Sequence, residues 1–285
     1  MRPKCISILG VGLLGGSIGL AVRSQLPGCR VIGYGHRRST LDEAIAMGAL
    51  DEGYDQLLPA VRDADLVILC TPVGLFRSLM TELAKHLNPK AVVTDVGSTK
   101  RSIVQAAEEL LHNPEQFVAG HPMAGSEKRG VQFARADLYD GALCIVTPTP
   151  QTSPDALETV EGFWETLGMR TCRLSPAEHD RRLADVSHLP HALAAALVAM
   201  QDKDSFALSG KGFLDMTRIA GGDGALWRDI LLDNQDNVRR SIQRLQKQLD
   251  HMVALMDSNH HEALREWLDQ VGARRQRIID AKPKG

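Results

Sequence analysis

Two short stretches of this 285-residue chain carry side chains suited to moving a proton. They are Asp95-Val96-Gly97-Ser98-Thr99-Lys100 and Gly120-His121-Pro122-Met123-Ala124-Gly125-Ser126-Glu127-Lys128, and each places polar groups just past an apolar, strand-like run. An imidazole titrates near neutrality, which suits it to accept a hydroxyl proton as the carbon bearing that hydroxyl is oxidised. His121 is the one histidine of the first half at such a position. His86 and His112 fall in helical stretches, and His36 follows a different strand. Ser98 suits two compatible roles, holding the imidazole or capping the helix that follows.

Oxidation needs an electron acceptor, and Gly10-Val11-Gly12-Leu13-Leu14-Gly15 fits the binding of one. The GxGxxG pattern alone is weak, but here an apolar strand precedes it, an apolar helix follows, and a second strand ends at Tyr34. Gly10 permits the tight turn, Gly12 lets backbone approach a pyrophosphate, and Gly15 lets the helix pack close to the strand. Leu13 and Leu14 belong to the same turn, where helix N–H groups face an anion. NAD enzymes usually place an acidic residue after the second strand to hold the ribose hydroxyls. This chain has Gly35 there, followed by His36, Arg37 and Arg38. A glycine leaves room for a 2′-phosphate and guanidinium groups pair with it, so the expected cofactor is NADP in preference to NAD, which is possible. Thr71, Pro72 and Val73 follow another strand end and are expected beside the cofactor.

The second half adds His188 and His191, three residues apart on one helix face. No carboxylate cluster or HExxH pattern accompanies them, so they are read as substrate-binding residues and no metal is expected. Arg218, flanked by Ile219 and Ala220, is expected to be partly buried, and a buried guanidinium needs an anion. That anion is either an internal carboxylate or a carboxylate of the substrate.

The elements that position these residues follow from periodicity. Apolar runs at 5–9, 30–34, 66–70, 91–95, 117–120, 143–147 and 169–174 alternate with helical stretches, the pattern of an α/β doubly wound parallel sheet of Rossmann type. Beyond residue 175 strand signals vanish and helices are expected at 176–201, 225–257 (broken near Asp233) and 259–280. Ser175-Pro176-Ala177-Glu178 reads as a capped helix start. The expected domains are therefore 1–174, binding the dinucleotide, and 175–285, an all-helical domain for substrate binding and dimerisation. The basic 274–285 tail reads as a solvated helix end.

Hydrophobic content of 44% and a net charge of −2 fit a globular protein with no nucleic-acid or membrane partner. No apolar run is long enough for a membrane span or a signal peptide. Five scattered cysteines without a CxxC pair suggest a reducing, cytoplasmic setting. No appended regulatory or mutase domain is expected in a chain of this length.

Taken together, GVGLLGGSIG, DVGSTK, GHPMAGSE, HDRRLADVSHLPHALA and TRIAGGDGALWRDI resemble, in order and spacing, the prephenate/arogenate dehydrogenase family over nearly the whole chain. The resemblance implies a Rossmann domain with a helical dimerisation domain and the oxidative decarboxylation of prephenate or arogenate in tyrosine biosynthesis, by a homodimer. It implies that His121 takes the ring hydroxyl proton and that Ser98 contacts both His121 and the nicotinamide. It further implies that Arg218 binds a substrate carboxylate, that His188, His191 and Trp227 line the substrate pocket, and that Glu127 lies near its entrance. Family members often carry Asp where Gly35 stands, and some carry a basic residue where Leu214 stands. The competing readings are another hydroxy-acid dehydrogenase and a non-catalytic dinucleotide sensor. The first calls for a catalytic lysine in the helical half, where Lys203 and Lys211 are the candidates and neither sits in such a motif, or for the lack of the paired-histidine segment. The second is disfavoured by retention of His121, Ser98 and Arg218.

Overall fold

The computed structural model describes residues 2–126, 128–257 and 261–281, which form two compact units, Met1–Gln235 and Asp236–Gly285. The first opens with β1 (Cys5–Leu9), α1 (Leu13–Gln25), β2 (Arg30–Tyr34), α2 (Arg38–Ala46), β3 (Glu52–Tyr54) and α3 (Leu57–Val61). It continues through β4 (Leu66–Leu69), α4 (Phe76–Leu83), β5 (Val92–Asp95), α5 (Arg101–Leu110), β6 (Phe117–Pro122), β7 (Leu143–Thr147), α6 (Pro154–Thr166) and β8 (Arg170–Arg173). Helices α7 (Pro176–Leu183), α8 (Leu189–Ala199), α9 (Lys203–Ala207), α10 (Lys211–Thr217) and α11 (Gly224–Asp233) follow. Then come α12 (Gln235–Asp257) and α13 (His261–Asp280).

The sheet has the order β3-β2-β1-β4-β5-β6-β7-β8. Strands β1 to β6 run parallel, which confirms the doubly wound reading, and the reversal of order between β2–β1 and β4 marks the expected ligand crevice. Both sheet faces are covered, so β1 (CISIL) and β4 (LVIL) are apolar-rich and buried throughout. Ile6, Ile8, Leu66 and Ile68 pack with Ile18, Val160 and Trp164 on one side. Leu9, Val67, Leu69 and Val93 pack with Phe76, Met80 and Ile103 on the other.

Three features depart from expectation. Strand β7 runs antiparallel to β6, while β8 is parallel to β7, so the sheet is mixed rather than wholly parallel. Strand β6 extends two residues further than expected, because His121 and Pro122 pair with Ile145 and Cys144 of β7; His121 therefore lies in the strand and not beyond it. Strand β3 is three residues long and carries Gly53, too brief to register as a period. Helix α7 starts as expected, with the Ser175 hydroxyl accepting from the Glu178 N–H at 3.2 Å. The long helix breaks at Asn234, close to Asp233. Whereas the change of composition falls near residue 174, α7 to α11 cluster with the sheet in one unit.

Within the second unit, the His251 and Trp267 rings meet edge to face at 6.1 Å. Leu249, Val253, Met256, Leu268, Val271 and Ile278 are exposed there. No helix among the described residues is long and apolar enough to cross a membrane.

Helix α1 approaches its neighbours through glycines beyond the recognised motif. A Cβ built on Gly19 runs into the Ala49 carbonyl oxygen, a backbone atom that cannot swing aside. Gly19→Ala is expected to destabilise the fold by about 1–3 kcal/mol, the usual range for overpacking; an unchanged urea midpoint would refute this contact.

Candidate active site

The cradle for an anion lies between β1 and α1. Gly10 adopts φ +107°, and a Cβ there would come within 2.7 Å of the Cys70 carbonyl carbon. At Gly12, the N-cap of α1, nothing lies within 4 Å of an added Cβ, leaving open space over the helix N-terminus. This cradle borders a cavity of about 640 Å³ lined by Gly10, Gly12, Tyr34, Gly35, His36, Arg37, Thr71, Pro72 and further residues of α2 and α4. The Thr71 hydroxyl is buried without a hydrogen-bond partner. Open space at a helix N-terminus, an unsatisfied hydroxyl and flanking basic side chains fit a nicotinamide dinucleotide.

Beyond this cavity, buried charge organises the loop after β5. The Asp95 carboxylate and the Lys100 ammonium, both fully buried, meet at 2.5 Å. The same carboxylate accepts from the Gly97 N–H at 2.7 Å and the Gly120 N–H at 3.1 Å. Burial pushes the Asp95 carboxyl up, and Lys100 with these two N–H groups opposes the rise. One side chain therefore holds both the Ser98 loop and the residue before His121.

His121 Nδ1 lies 2.8 Å from His179 Nε2, and His179 Nδ1 lies 2.8 Å from Asp180 Oδ1. Asp180 also accepts from the N–H groups of Lys100 (2.8 Å) and Arg101 (3.0 Å), so it caps α5 from α7. Asn234 donates to the Asp180 carbonyl at 2.7 Å, which fixes its amide orientation, and the same Nδ2 lies 3.2 Å from His188 Nδ1. His188 Nδ1 is thus an acceptor and its Nε2 carries the hydrogen. That Nε2 makes no hydrogen bond, although the nearby Ser98 carbonyl favours the protonated ring.

His188 belongs to a π-turn, Ala184–His188, joining α7 to α8. Pro190, two residues past its end, has no N–H to return to this turn, which favours the widened geometry. The turn brings His188 and His191 to Trp227. His191 stacks on the indole at 3.5 Å with 9° between planes, and His188 meets it edge-on at 6.4 Å. Gly222 closes this group, since a Cβ there would lie 2.7 Å from Trp227 Nε1 and 3.0 Å from His191 Cε1.

Burial governs the protonation of these rings. It holds His121 well below its ordinary range, and the like-charge repulsion that a protonated ring would meet from Lys100 and from protonated His179 or His188 adds to this. Burial also lowers His179, with Asp180 opposing, and His191. Burial brings His188 down to about 4. Asp180 behaves oppositely: burial pushes it up, but the hydrogen bonds from His179, Arg101 and Lys100 outweigh that and lower it. The site holds neutral imidazoles beside a carboxylate.

Sequence comparison agrees with this arrangement. Residues 18–173 match the family model described as "Prephenate dehydrogenase, nucleotide-binding domain", and residues 175–270 match "Prephenate dehydrogenase, dimerization domain". The chain belongs to the prephenate dehydrogenase family. It is 35% identical over 266 residues to the prephenate dehydrogenase of Bacillus subtilis, covering 91% of this chain and 72% of that one. The crystal structure of prephenate dehydrogenase from A. aeolicus with hydroxyphenyl propionate and NAD+ superposes with TM-score 0.91 at 36% identity, covering 98% of this chain and 99% of that one. Synechocystis arogenate dehydrogenase gives TM-score 0.83 at 31% identity, covering 96% and 99%.

Within this prephenate dehydrogenase fold the expected residues are distributed unevenly. Gly10, Gly12, Gly35, His36, Arg37, Thr71 and Pro72 line the cavity, whereas Arg38 is engaged by Asp42 at 2.8 Å and by the Gly53 carbonyl at 3.0 Å. Gly15 meets the Gly10 carbonyl where the helix packs on its strand. Leu13 opens α1, Leu14 packs against the core, and Val73 packs against the other core face beside Gly97. Arg218 is exposed on a short 3-10 turn, Arg218–Gly221, so the expected partial burial does not hold; the turn packs against α8. Glu127 lies outside the described residues. Sequence reasoning assigned nothing to His179, Asp180, Asn234 or the Asp95–Lys100 pair. The signal available was an ionisable residue at an otherwise apolar strand end, which Asp95 is.

Two outcomes follow. Lys100→Met leaves Asp95 buried without its ammonium and is expected to cost roughly 3–5 kcal/mol of stability, read from denaturant unfolding; a loss under 1 kcal/mol would contradict the burial. Because His188 is depressed to about 4 when folded and titrates near 6.5 when unfolded, the unfolded state binds more protons between those values. The contribution is complete above about pH 6.5 and is lost as pH falls towards about 4. His188→Asn should flatten the pH dependence of the unfolding midpoint across that window.

Proposed function

We propose that this chain oxidises and decarboxylates prephenate to 4-hydroxyphenylpyruvate, or arogenate to tyrosine, using NADP in preference to NAD. The observation that carries the reading is His121, a buried imidazole bonded through Nδ1 at the end of a parallel strand, in a chain whose relatives are named for this reaction. The bound dinucleotide supplies the two-electron acceptor. His121 takes the hydroxyl proton as ring carbon 4 is oxidised, the ring carboxylate leaves as CO2, and the same imidazole returns the proton to the phenolate oxygen. Aromatisation drives the sequence, so the protein's contribution is orientation and charge placement. Ser98 orients His121 and the nicotinamide, His188 offers its Nε2 hydrogen to the substrate, and His191 and Trp227 form a wall. Arg218, next to that wall, binds a substrate carboxylate.

The NADP preference rests on Gly35, where no carboxylate opposes a 2′-phosphate, and on His36 and Arg37 in the cavity lining. Glu82 also lines that cavity but is engaged by Lys85 at 2.7 Å. The reading includes a functional boundary near residue 174 and a homodimer formed through the helical domain, supported by the family description and the exposed apolar residues of α12 and α13. Light scattering should give about twice the chain's 31.1 kDa; a monomer would remove the dimer from the reading. A cytoplasmic location accords with five cysteines free of disulfides.

A matrix of initial rates, two substrates against two cofactors, tests the reading. Prephenate or arogenate should yield reduced cofactor and CO2, and NADP should give the larger kcat/KM. Arg37→Ala should cut the NADP-to-NAD ratio roughly ten- to a hundredfold, the worth of a hydrogen bond to a charged group. His121→Asn should lower kcat by about 100- to 10,000-fold. No turnover of either substrate would reject the reading.

A further inference from the structure

We infer that His179 and Asp180 are positioning residues that fix the tautomer of His121, leaving its Nε2 bare to accept a proton, and that His179 shares that proton while His121 holds it. The inference rests on His121 being the base of the proposed reaction and extends it to residues that touch no substrate.

The argument starts at the carboxylate. Asp180 faces only donors: Oδ1 accepts from the Lys100 N–H, and Oδ2 from the Arg101 N–H and the Arg101 Nε at 3.3 Å. An ionised carboxylate is an acceptor alone, so the 2.8 Å contact to His179 is His179 Nδ1–H donating. A neutral imidazole has one N–H, so His179 Nε2 carries a lone pair. The 2.8 Å contact to His121 is then His121 Nδ1–H donating. A neutral His121 holding its hydrogen on Nδ1 has none on Nε2. In the opposite arrangement, His179 Nε2–H donates to His121 Nδ1, and His121 Nε2 bears a hydrogen and accepts nothing. A carboxylate two links away therefore decides whether the imidazole works as a base.

The same chain handles the proton. When His121 Nε2 takes it, the imidazolium donates Nδ1–H to His179. Passage of that Nδ1 hydrogen to His179 Nε2 puts the positive charge directly against Asp180. Return to the phenolate reverses both movements, so no proton is gained or lost overall. The other ionisable groups facing this chain are Lys100, Asp95, His188 and Arg101. Lys100 is neutralised by Asp95 in their buried pair, and Arg101 is 40% exposed. Asp180 is the carboxylate in direct contact with His179.

Nitrogen-15 spectra of the wild-type protein labelled at histidine test the tautomer directly, with His121 assigned by its loss in His121→Asn. At neutral pH, Nδ1 should be protonated and Nε2 bare; a protonated Nε2 would overturn the inference whatever the enzyme turns over. Kinetics add a second arm. His179→Leu removes the acceptor and should lower kcat about 100-fold with KM within about threefold, while His179→Gln keeps an acceptor oxygen and should regain at least about tenfold. Equal rates in the two variants would reject the tautomer role. Asp180→Asn removes the charge that favours the imidazolium, so the acid limb of the kcat/KM profile should move to lower pH. A limb that stays in place with a lower plateau would mean that Asp180 only caps α5. Wild-type turnover of prephenate or arogenate is scored separately, so failure of the reaction and failure of the tautomer assignment are distinguishable.

Discussion

The geometry of this site depends on one buried ion pair. Asp95 and Lys100 lie five residues apart with no exposure of either side chain, so neither charge can turn to water. Removing two charges from water is expensive, and their attraction returns little net stability. What the pair supplies is position. The loop between them must close tightly enough for the ammonium to reach back, and Asp95 then uses its other acceptor sites on Gly97 and Gly120. Gly120 permits this approach because a Cβ there would crowd the Asp95 carbonyl at 3.1 Å and Trp164 at 3.3 Å. His121 inherits its location from that contact.

A second carboxylate fastens the same loop from the helical side. Asp180 holds the N–H groups of Lys100 and Arg101, at a helix N-terminus where negative charge is favoured. Residues 95–101 are therefore pinned by Asp95 at the sheet and by Asp180 at α7, and Ser98 stands between the two anchors. Asn234 carries the network to His188, while Ser102 bonds Asp233 at 2.6 Å nearby. His121 sits in strand β6 and His188 in the turn between α7 and α8, and each is held by a polar group whose own partners are fixed.

How much of this was legible from sequence follows the range of the interactions. The strands at 5–9, 30–34 and 143–147 matched to the residue because each has a buried centre rich in apolar, branched side chains. The glycine cradle was legible because its steric demands fall on neighbouring residues. Strand direction was not, since a period-two pattern is the same in β7 whether it runs parallel or antiparallel. The His121–His179–Asp180 chain joins residues 58 apart, and the Asp180 clamp reaches across 80, distances at which local pattern carries no signal. Arg38, expected beside a phosphate, is paired here with Asp42 one turn on and with the Gly53 carbonyl. Apolar neighbours misled at Arg218, because they share a short 3-10 turn that leaves the arginine exposed.

Similar imidazoles acquire different work here through their partners. On the tautomer we infer, His121 donates through Nδ1 and presents a bare nitrogen, whereas His188 accepts through Nδ1 and presents a hydrogen. A ring hydroxyl that must lose a proton and then regain it needs the first kind, and a carbonyl or carboxylate oxygen nearby needs the second. Burial disfavours the protonated form of both rings, which preserves the difference between acceptor and donor. Had either ring been exposed, water would have exchanged its tautomers freely and the division would be lost. The dry, carboxylate-anchored interior that costs stability is thus what separates the two roles.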